Sequence, residues 1–384
     1  MVMAVRNGAA FLGHALTSVL EQTFRDFEFI VVDDGSTDET SEILARCRDE
    51  RLRVVTQRPA GQLAALNRGI ELASGEFIAR QDADDIWLPG RLGWQVRFLD
   101  RHPEVGVLGG QAVIVDSAEH PLAVTRLPTR PTALRWYLLF ESPFVHSTVM
   151  IRRELLAAAG TYRADDVLGP LADYELWSRL SRVADIANAP FPLGLYREHQ
   201  AAISKRDAGV VAEKAPLVRE ANVATEIGDG ALVAMAVRHA RTLRLGEIGT
   251  ASPGDIGDAV DTLVHLETLF LQKHQHALAG DPLAMSEIRC FVLERLLAAS
   301  RRAVTRPMSR VATKIAGALL QQVREMIGTP LGIARTGSVG WETLLRLVLG
   351  ARQYHSRAAR YALRTALGDP INRRPSLLAA AAPR

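Results

Sequence analysis

The chain has 384 residues, of which 48% are hydrophobic and 23% charged, so it carries enough apolar side chains for a sizeable core and more than one domain. A formal net charge of +3 is small for this length and does not indicate a nucleic-acid-binding protein. The two cysteines, Cys47 and Cys290, lack the spacing of a zinc site or a disulfide framework, which favours a reducing, cytoplasmic location.

Short apolar runs alternate with segments of helical periodicity in the first half of the chain. The pattern predicts strands over 2–5, 29–32, 53–55 and 77–79, with helices between them. Ser36 and Glu39 have the spacing of a capping box, which predicts a helix that begins directly after the second strand. This alternation is typical of a doubly wound α/β sheet with crossover helices on both faces.

Acidic clusters follow two of these predicted strands. Asp33 and Asp34 come after the second strand, and Asp82, Asp84 and Asp85 come after the fourth. Because ligands of open α/β sheets bind beyond the carboxyl ends of the strands, we expect both clusters to face one crevice. Carboxylates two residues apart suit Mg²⁺ or Mn²⁺ and leave coordination positions open for phosphate. Taken alone, each cluster is also compatible with an ordinary solvated or capped turn.

The chain after about residue 206 has no strand-like runs and shows helical periodicity over 211–225, 256–278, 286–304 and 341–366. We therefore predict two domains, an α/β domain over 1–206 and an all-α region over 207–384. Charged or polar residues interrupt every apolar run before the roughly 18 residues that a membrane-spanning helix needs.

The end of the chain is rich in arginine. A predicted helix and tail carry seven arginines against the single acid Asp369: Arg352, Arg357, Arg360, Arg364, Arg373, Arg374 and Arg384. One interpretation is a solvated helix face or tail. The other is peripheral contact with anionic lipid at the inner face of a membrane.

Several motifs in the first half, taken in order, resemble those of family 2 glycosyltransferases. The matching segments are 4–8 (AVRNG), 18–23 (SVLEQT), 31–38 (VVDDGSTD), 64–75, 81–85 (QDADD), 171–177 (LADYELW) and 195–199 (LYREH), with Ser204 beyond them. The resemblance covers residues 1–206 and implies the GT-A fold, a doubly wound mixed sheet flanked by helices. It gives no guidance for the helical region that follows.

The resemblance also implies a pocket for a nucleotide-diphosphate sugar, with a UDP-sugar favoured. Asp33 and Asp34 would approach the base and ribose, Asp33 the base, because carboxylates accept hydrogen bonds from such groups. Asp82 would lie at the donor and, with Asp84, hold Mn²⁺ or Mg²⁺ against the diphosphate, which bare carboxylates would repel. A separate segment with Arg197 and His199 would close over the pyrophosphate.

The acceptor side is implied in the same way. Asp173, at the start of a helix predicted over 174–184, would be the base for the acceptor hydroxyl, although a helix N-cap is the rival interpretation. A helix N-terminus should lower the basicity of this carboxylate. Ala172 stands where the family usually has Glu, which removes one supporting group. His146 is a candidate on the acceptor side, while a lone histidine beside an apolar run is commonly structural.

The implied reaction is a single displacement that inverts the sugar and transfers it to a carbohydrate or lipid-linked acceptor, in surface polysaccharide or glycoconjugate synthesis. A sugar nucleotidyltransferase is an alternative, but its Gly-rich triphosphate loop is missing after the first strand. A non-catalytic nucleotide-sugar-binding module would not need Asp82, Asp84 and Asp173 together. Family members usually carry further residues of the first strand, and the sequence leaves open whether the N-terminus lies upstream of Met1.

Overall fold

The computed structural model describes residues 1–163, 168–199, 206–239 and 253–305, together with Ile315, Ala318 and Gln321. The chain divides into two compact units, Met1–Glu226 and Ile227–Arg384. The first unit thus extends past the predicted domain boundary at residue 206.

Within the described residues, the first unit contains one mixed sheet of nine strands. The strands are β1 (Val2–Val5), β2 (Phe29–Asp33), β3 (Leu52–Thr56), β4 (Phe77–Asp82), β5 (Ile86–Trp87), β6 (Val105–Val115), β7 (Pro121–Val124), β8 (Met150–Arg152) and β9 (Asp185–Arg197). Their order is β3-β2-β1-β4-β8-β6-β9-β5, with β7 paired to β6. The first four are mutually parallel, whereas β8 is antiparallel to both β4 and β6. The predicted mixed sheet is confirmed.

Helices cover both faces of this sheet. They are α1 (Ala9–Leu20), α2 (Thr40–Arg46), α3 (Gln62–Leu72), α4 (Arg91–Arg101), α5 (Pro131–Tyr137), α6 (Arg153–Ala159), α7 (Ala172–Leu180) and α8 (Ala208–Ile227). The alternation of side chains along β1 shows how the two cores are divided. Val2 packs in the cluster that contains Leu66 of α3, while Met3 packs in the cluster that contains Leu12 of α1. Because parallel strands are covered on both faces, β1 and β2 are buried throughout.

Helix α8 is held to the first unit by buried polar side chains. Arg219 donates from Nε to the Phe140 carbonyl at 2.6 Å. Asn222 donates from Nδ2 to the Leu138 carbonyl and to Ser178 Oγ, each at 2.8 Å. Since buried polar groups are costly unless they are hydrogen-bonded, these contacts tie α8 to α7 and explain why the compact unit continues to Glu226.

The described part of the second unit is helical, as predicted. It contains α9 (Gly230–His239), α10 (Pro253–Lys273), α11 (Gln275–Ala279) and α12 (Pro282–Thr305). The single helix predicted over 256–278 is divided at His274. The predicted helix over 341–366, the arginine-rich segment and Ser204 lie outside the described residues. No helix in the described ranges is both long and apolar enough to cross a membrane.

Candidate functional site

The acidic clusters lie at the ends of neighbouring strands. Strand β1 separates β2 from β4, and its register pairs Val5 with Asp33 and Ala4 with Asp82. Both carboxylates therefore emerge at the same edge of the sheet, beyond the carboxyl ends of parallel strands. Asp173, in the first turn of α7, belongs to the same region, because its carboxyl group interacts electrostatically with Asp82.

Asp33 and Asp34 are both buried and fully engaged with protein groups. Asp33 accepts hydrogen bonds from Ser36 N at 2.9 Å and from Ser41 Oγ at 2.8 Å, within its own turn and the following helix. Asp34 instead accepts hydrogen bonds from Gln57 Nε2 and from the backbone N–H groups of residues 60 and 61, each at 2.8 Å. Asp34 thus fastens the loop after β3 to the end of β2. The base and ribose contacts of the two residues stay predictions.

The turn after β2 is built differently from the capping box that the sequence indicates. Helix α2 begins at Thr40 and has no side-chain cap, so the capping-box prediction was wrong. Ser36 Oγ accepts a hydrogen bond from Asn7 N at 3.0 Å, and Asn7 Oδ1 accepts one from Thr37 N at 2.8 Å. Asn7 has a φ of +53°, a left-handed conformation that asparagine tolerates better than most residues. The loops after β1 and β2 therefore form one connected wall.

The loop after β4 carries the two carboxylates predicted to bind metal. Asp82 Oδ1 pairs with Arg80 Nη2 at 2.5 Å, and Asp84 Oδ2 lies 2.9 Å from His199 Nε2. Both aspartates are partly buried. Burial, and next the charge of Asp82, raise the pKa of Asp84 above its ordinary value. The two carboxylates thus repel each other, and one of them contacts the predicted pyrophosphate segment.

The buried residue Asp85 attaches this loop to two neighbouring segments. Its buried carboxylate accepts hydrogen bonds from Ser147 Oγ and, at 2.8 Å, from Arg197 N. Burial raises the pKa of Asp85 well above its ordinary value, and the charges of Asp82 and Asp84 raise it further. The loop is therefore attached through Asp85 both to the turn 146–148 and to the end of β9.

Arg197 is buried, and its guanidinium contacts protein groups. Nε donates to the Asp84 carbonyl at 2.8 Å, Nη1 to the Ser117 carbonyl at 3.1 Å, and Nη2 to Glu119 Oε1 at 3.0 Å. The guanidinium also lies 4.6 Å from the ring centroid of Phe11. These contacts use three of the five guanidinium N–H groups, and the phosphate contact stays a prediction. His199, two residues on, already reaches Asp84.

Asp173 lies inside helix α7, which begins at Ala172, and not at its N-cap. Its Oδ1 accepts a hydrogen bond from Tyr174 N at 2.6 Å. Burial raises the pKa of Asp173 to about 6, against the opposing effect of that hydrogen bond, and the charge of Asp82 adds to the rise. The expectation that the helix N-terminus lowers its basicity was therefore wrong, because burial dominates. The N-cap interpretation is not supported either.

His146, the predicted candidate for the acceptor side, forms a pair with Tyr162, which the sequence analysis missed. Its Nε2 is 2.7 Å from Tyr162 Oη, and both rings contact Trp177. Burial, followed by the charge of Arg80, lowers the pKa of His146 to about 3, so the imidazole is neutral at physiological pH. Burial raises the pKa of Tyr162, which interacts with both Arg80 and Asp173.

No local sequence motif identified Arg80 or Tyr162 as site residues. Arg80 is unusual only as a charged residue in the otherwise apolar run of β4, where it is 2% exposed. Tyr162 is held by Asn67 of α3, whose amide exchanges two hydrogen bonds with the Tyr162 backbone, at 2.7 and 3.1 Å. Asn67 belongs to the matching segment 64–75, and its contact explains why an asparagine stands there.

The donor set of this loop fits a divalent cation that is also bound by phosphate. The carboxylates of Asp82 and Asp84 are ligand types that suit Mn²⁺ or Mg²⁺. In the described part of the chain no group of three or more His, Cys, Asp or Glu side chains is arranged to enclose a metal by itself. Mg²⁺ and ions like it usually bind through one or two carboxylates together with substrate phosphates, so the missing ligands would come from a donor diphosphate.

Comparisons with known proteins agree with this picture. The model of the family "Glycosyl transferase family 2" matches residues 1–159. The putative glycosyltransferase EpsE of Bacillus subtilis is 32% identical over 184 residues, which cover 47% of this chain and 65% of EpsE. The amylovoran biosynthesis glycosyltransferase AmsE of Erwinia amylovora is 31% identical over 199 residues, which cover 51% of this chain and 73% of AmsE. The chain thus spans somewhat less than two thirds of EpsE.

Solved structures show the same fold. The crystal structure of S. aureus TarS superposes with a TM-score of 0.51 at 18% identity, covering 75% of this chain and 54% of TarS. TarS 1–349 in complex with UDP gives a TM-score of 0.50 at 19% identity, covering 79% of this chain and 91% of that one. The predicted GT-A fold is confirmed.

Proposed function

Because this chain belongs to glycosyltransferase family 2, we propose that it transfers a sugar from a nucleotide diphosphate to an acceptor hydroxyl, with inversion at the anomeric carbon. The observation that carries the proposal is the meeting of Asp82 and Asp84 with Asp173 at one sheet edge, where Asp173 has a pKa of about 6. A carboxylate with that pKa is largely ionised at neutral pH, yet is more basic than an ordinary aspartate.

The donor in this proposal is a UDP-sugar. A neighbour of the same fold, TarS 1–349, has a structure in complex with UDP, which makes uridine the first base to test. The connected wall formed by the loops after β1 and β2 would face the nucleoside, with Asp33 nearest the base and Asp34 nearest the ribose. His199 would face the diphosphate beside Asp84, and Arg197 would contribute its remaining guanidinium N–H groups.

Asp82 and Asp84 would hold a Mn²⁺ or Mg²⁺ ion, with His199 beside Asp84. When bound, such an ion supplies positive charge that stabilises the departing diphosphate. Arg80 keeps the Asp82 carboxylate oriented through their 2.5 Å ion pair and is the buried cation nearest to this carboxylate. Asp85 keeps the loop closed against β9 through its hydrogen bond from Arg197 N.

The chemical step is a single displacement. The acceptor oxygen forms a bond to the anomeric carbon while the bond from that carbon to the diphosphate oxygen breaks, and the nucleotide diphosphate leaves with the electron pair. Asp173 accepts the proton of the attacking hydroxyl. The neutral pair formed by His146 and Tyr162 lies on the acceptor side, where uncharged donors and acceptors can orient a sugar hydroxyl without adding charge.

The acceptor in this proposal is a carbohydrate or a lipid-linked glycan of a surface polysaccharide. The printed name of AmsE, an amylovoran biosynthesis glycosyltransferase, is consistent with that class. Contact of the arginine-rich C-terminal segment with an anionic membrane would bring the enzyme to a lipid-linked acceptor and belongs to the same proposal.

The test is a thermal-shift and calorimetric screen of UDP, GDP, CDP and ADP and of the corresponding triphosphates, each with and without Mn²⁺, since specific ligands stabilise the folded state by mass action. We expect a UDP-selective, Mn²⁺-dependent shift. Asp84→Ala should remove the metal dependence, while Asp173→Asn should bind UDP normally and transfer no sugar. Retained turnover by Asp173→Asn would reject the assigned base. A response to nucleoside triphosphates alone would instead favour a sugar nucleotidyltransferase.

A further inference from the structure

The turn that joins β6 to β7, residues 116–120, lies against the site from a part of the sequence with no family motif. Asp116 Oδ1 accepts hydrogen bonds from the N–H groups of Ala118 and His120, each at 2.9 Å, which braces the turn internally. Glu119 has a φ of +68°, a left-handed conformation that is unfavourable for a glutamate. Such a conformation persists only where surrounding contacts stabilise it, so the contacts of Glu119 are expected to be specific.

The carboxylate of Glu119 has two partners. Its Oε1 accepts a hydrogen bond from Arg197 Nη2 at 3.0 Å and lies 2.8 Å from His14 Nδ1. The side chain of Arg197 is 1% exposed, whereas those of Glu119 and His14 are 36% and 71% exposed. The Arg197–Glu119 contact is therefore a half-buried ion pair, and the contact with His14 is an outer one.

Arg197 connects this turn to the loop that would hold the cation. Its Nε binds the Asp84 carbonyl and its backbone N–H binds the Asp85 carboxylate, each at 2.8 Å. His199, in the same segment, reaches Asp84 Oδ2. Arg197 thus contacts the loop at two consecutive residues, while Glu119 and Ser117 orient the other end of its guanidinium.

We propose that Glu119 is a positioning residue for the donor site, acting through Arg197 to hold the Asp84 loop in its ligand-binding conformation. The proposal rests on the proposed function, because it concerns the affinity of that site for a nucleotide diphosphate and a divalent cation. A planar guanidinium held by three partners cannot rotate, so the backbone of Asp84 stays in place. Without Glu119, Nη2 loses its carboxylate, and the guanidinium is free to leave the Asp84 carbonyl.

The experiment compares Glu119→Ala with the wild type in the full chain. Direct partners of metal ligands typically contribute 10- to 100-fold to metal affinity, and Glu119 acts one contact further out, through Arg197. We therefore expect the apparent dissociation constant for Mn²⁺, measured calorimetrically with saturating UDP, to rise by no more than the lower end of that range, about 10-fold. Turnover at saturating Mn²⁺ should change much less, while the unfolding temperature without ligands should fall slightly, because the buried guanidinium of Arg197 loses its carboxylate partner. Glu71→Ala is the matched control, because Glu71 also pairs with an arginine, Arg68, at 2.7 Å on the surface of α3.

A double-mutant cycle tests whether Glu119 acts through Arg197. Arg197→Lys keeps the positive charge, but one ammonium group cannot serve all three acceptors. Adding Glu119→Ala to Arg197→Lys should therefore weaken Mn²⁺ binding much less than it does in the wild type. Additive effects would overturn the proposal, as would an unchanged Mn²⁺ affinity or a lowered unfolding temperature with normal affinity. If wild-type protein binds no nucleotide diphosphate at all, the proposed function itself fails, which is a different result.

Discussion

Replacing Asp173 by asparagine should stabilise the protein while abolishing transfer. In the folded chain the pKa of Asp173 is raised from its ordinary 3.8 to about 6, chiefly by burial. The protonated form is thus favoured on folding, so the contribution of this carboxyl group to stability is full below pH 3.8 and is lost as the pH rises through about 6. Asparagine is neutral at every pH, so the Asp173→Asn variant keeps this contribution to stability as the pH rises.

The magnitude follows from the two pKa values. At a pH well above 6, their difference corresponds to a loss of about 3 kcal/mol in the free energy of unfolding. This is an upper figure, because the side chain of Asp173 is not completely excluded from solvent. Asp173→Asn should therefore unfold at higher denaturant concentration than the wild type at pH 8. The gain should shrink through pH 6 and vanish near pH 4.

Urea denaturation from pH 4 to pH 8.5 measures this difference, with Asp116→Asn as the control. Asp116 is an exposed carboxylate whose pKa is lowered, chiefly by the hydrogen bond from His120 N–H. Its replacement should give no gain that grows with pH. If Asp173→Asn were equally stable or less stable at pH 8, or if its gain were the same at pH 4, the burial argument for Asp173 would be refuted.

Four further outcomes are expected. The turnover number of the wild type should fall about 10-fold for each pH unit below about 6, because the ionised form of Asp173 declines in that range; a flat pH–rate profile from pH 4.5 to 7 would contradict this. Asn222→Leu removes two buried hydrogen bonds between α8 and the rest of the first unit, and should lower the free energy of unfolding by about 1–3 kcal/mol in urea titrations. Gly69→Ala places a Cβ atom 2.4 Å from Val2 Cγ1, so it should destabilise by about 1–3 kcal/mol. Gly13→Ala meets no atom within 4 Å and should be neutral or gain up to about 1 kcal/mol, by thermal or urea unfolding.

The parallel half of the sheet could be predicted because its signals are local. Runs such as 29–32 are short, apolar and β-branched, and a strand buried on both faces requires that composition. The antiparallel strand β8 has only three residues, and the sequence offers no comparable pattern for it. Its pairing with β4 and β6 depends on segments more than forty residues away.

The start of α2 shows where local reasoning failed. Ser36 and Glu39 have the capping-box spacing, yet Ser36 Oγ is used by Asn7, about thirty residues earlier in the chain. The hydroxyl group satisfies a backbone N–H in either arrangement, so the sequence alone could not tell which N–H it would be. Because the loops after β1 and β2 pack closely together, the donor is the backbone N–H of Asn7.

The amino-acid sequence by itself determined where the acidic residues stand relative to the strands, and hence that Asp33 and Asp82 leave the sheet at one edge. That follows because parallel strands direct their carboxyl ends the same way. Only the tertiary structure decided that burial makes Asp173 more basic, and that Arg197 is held by Glu119. The pKa of a carboxyl group and the partner of a guanidinium depend on solvent exclusion and on neighbours brought together by folding, and neither is encoded in local spacing.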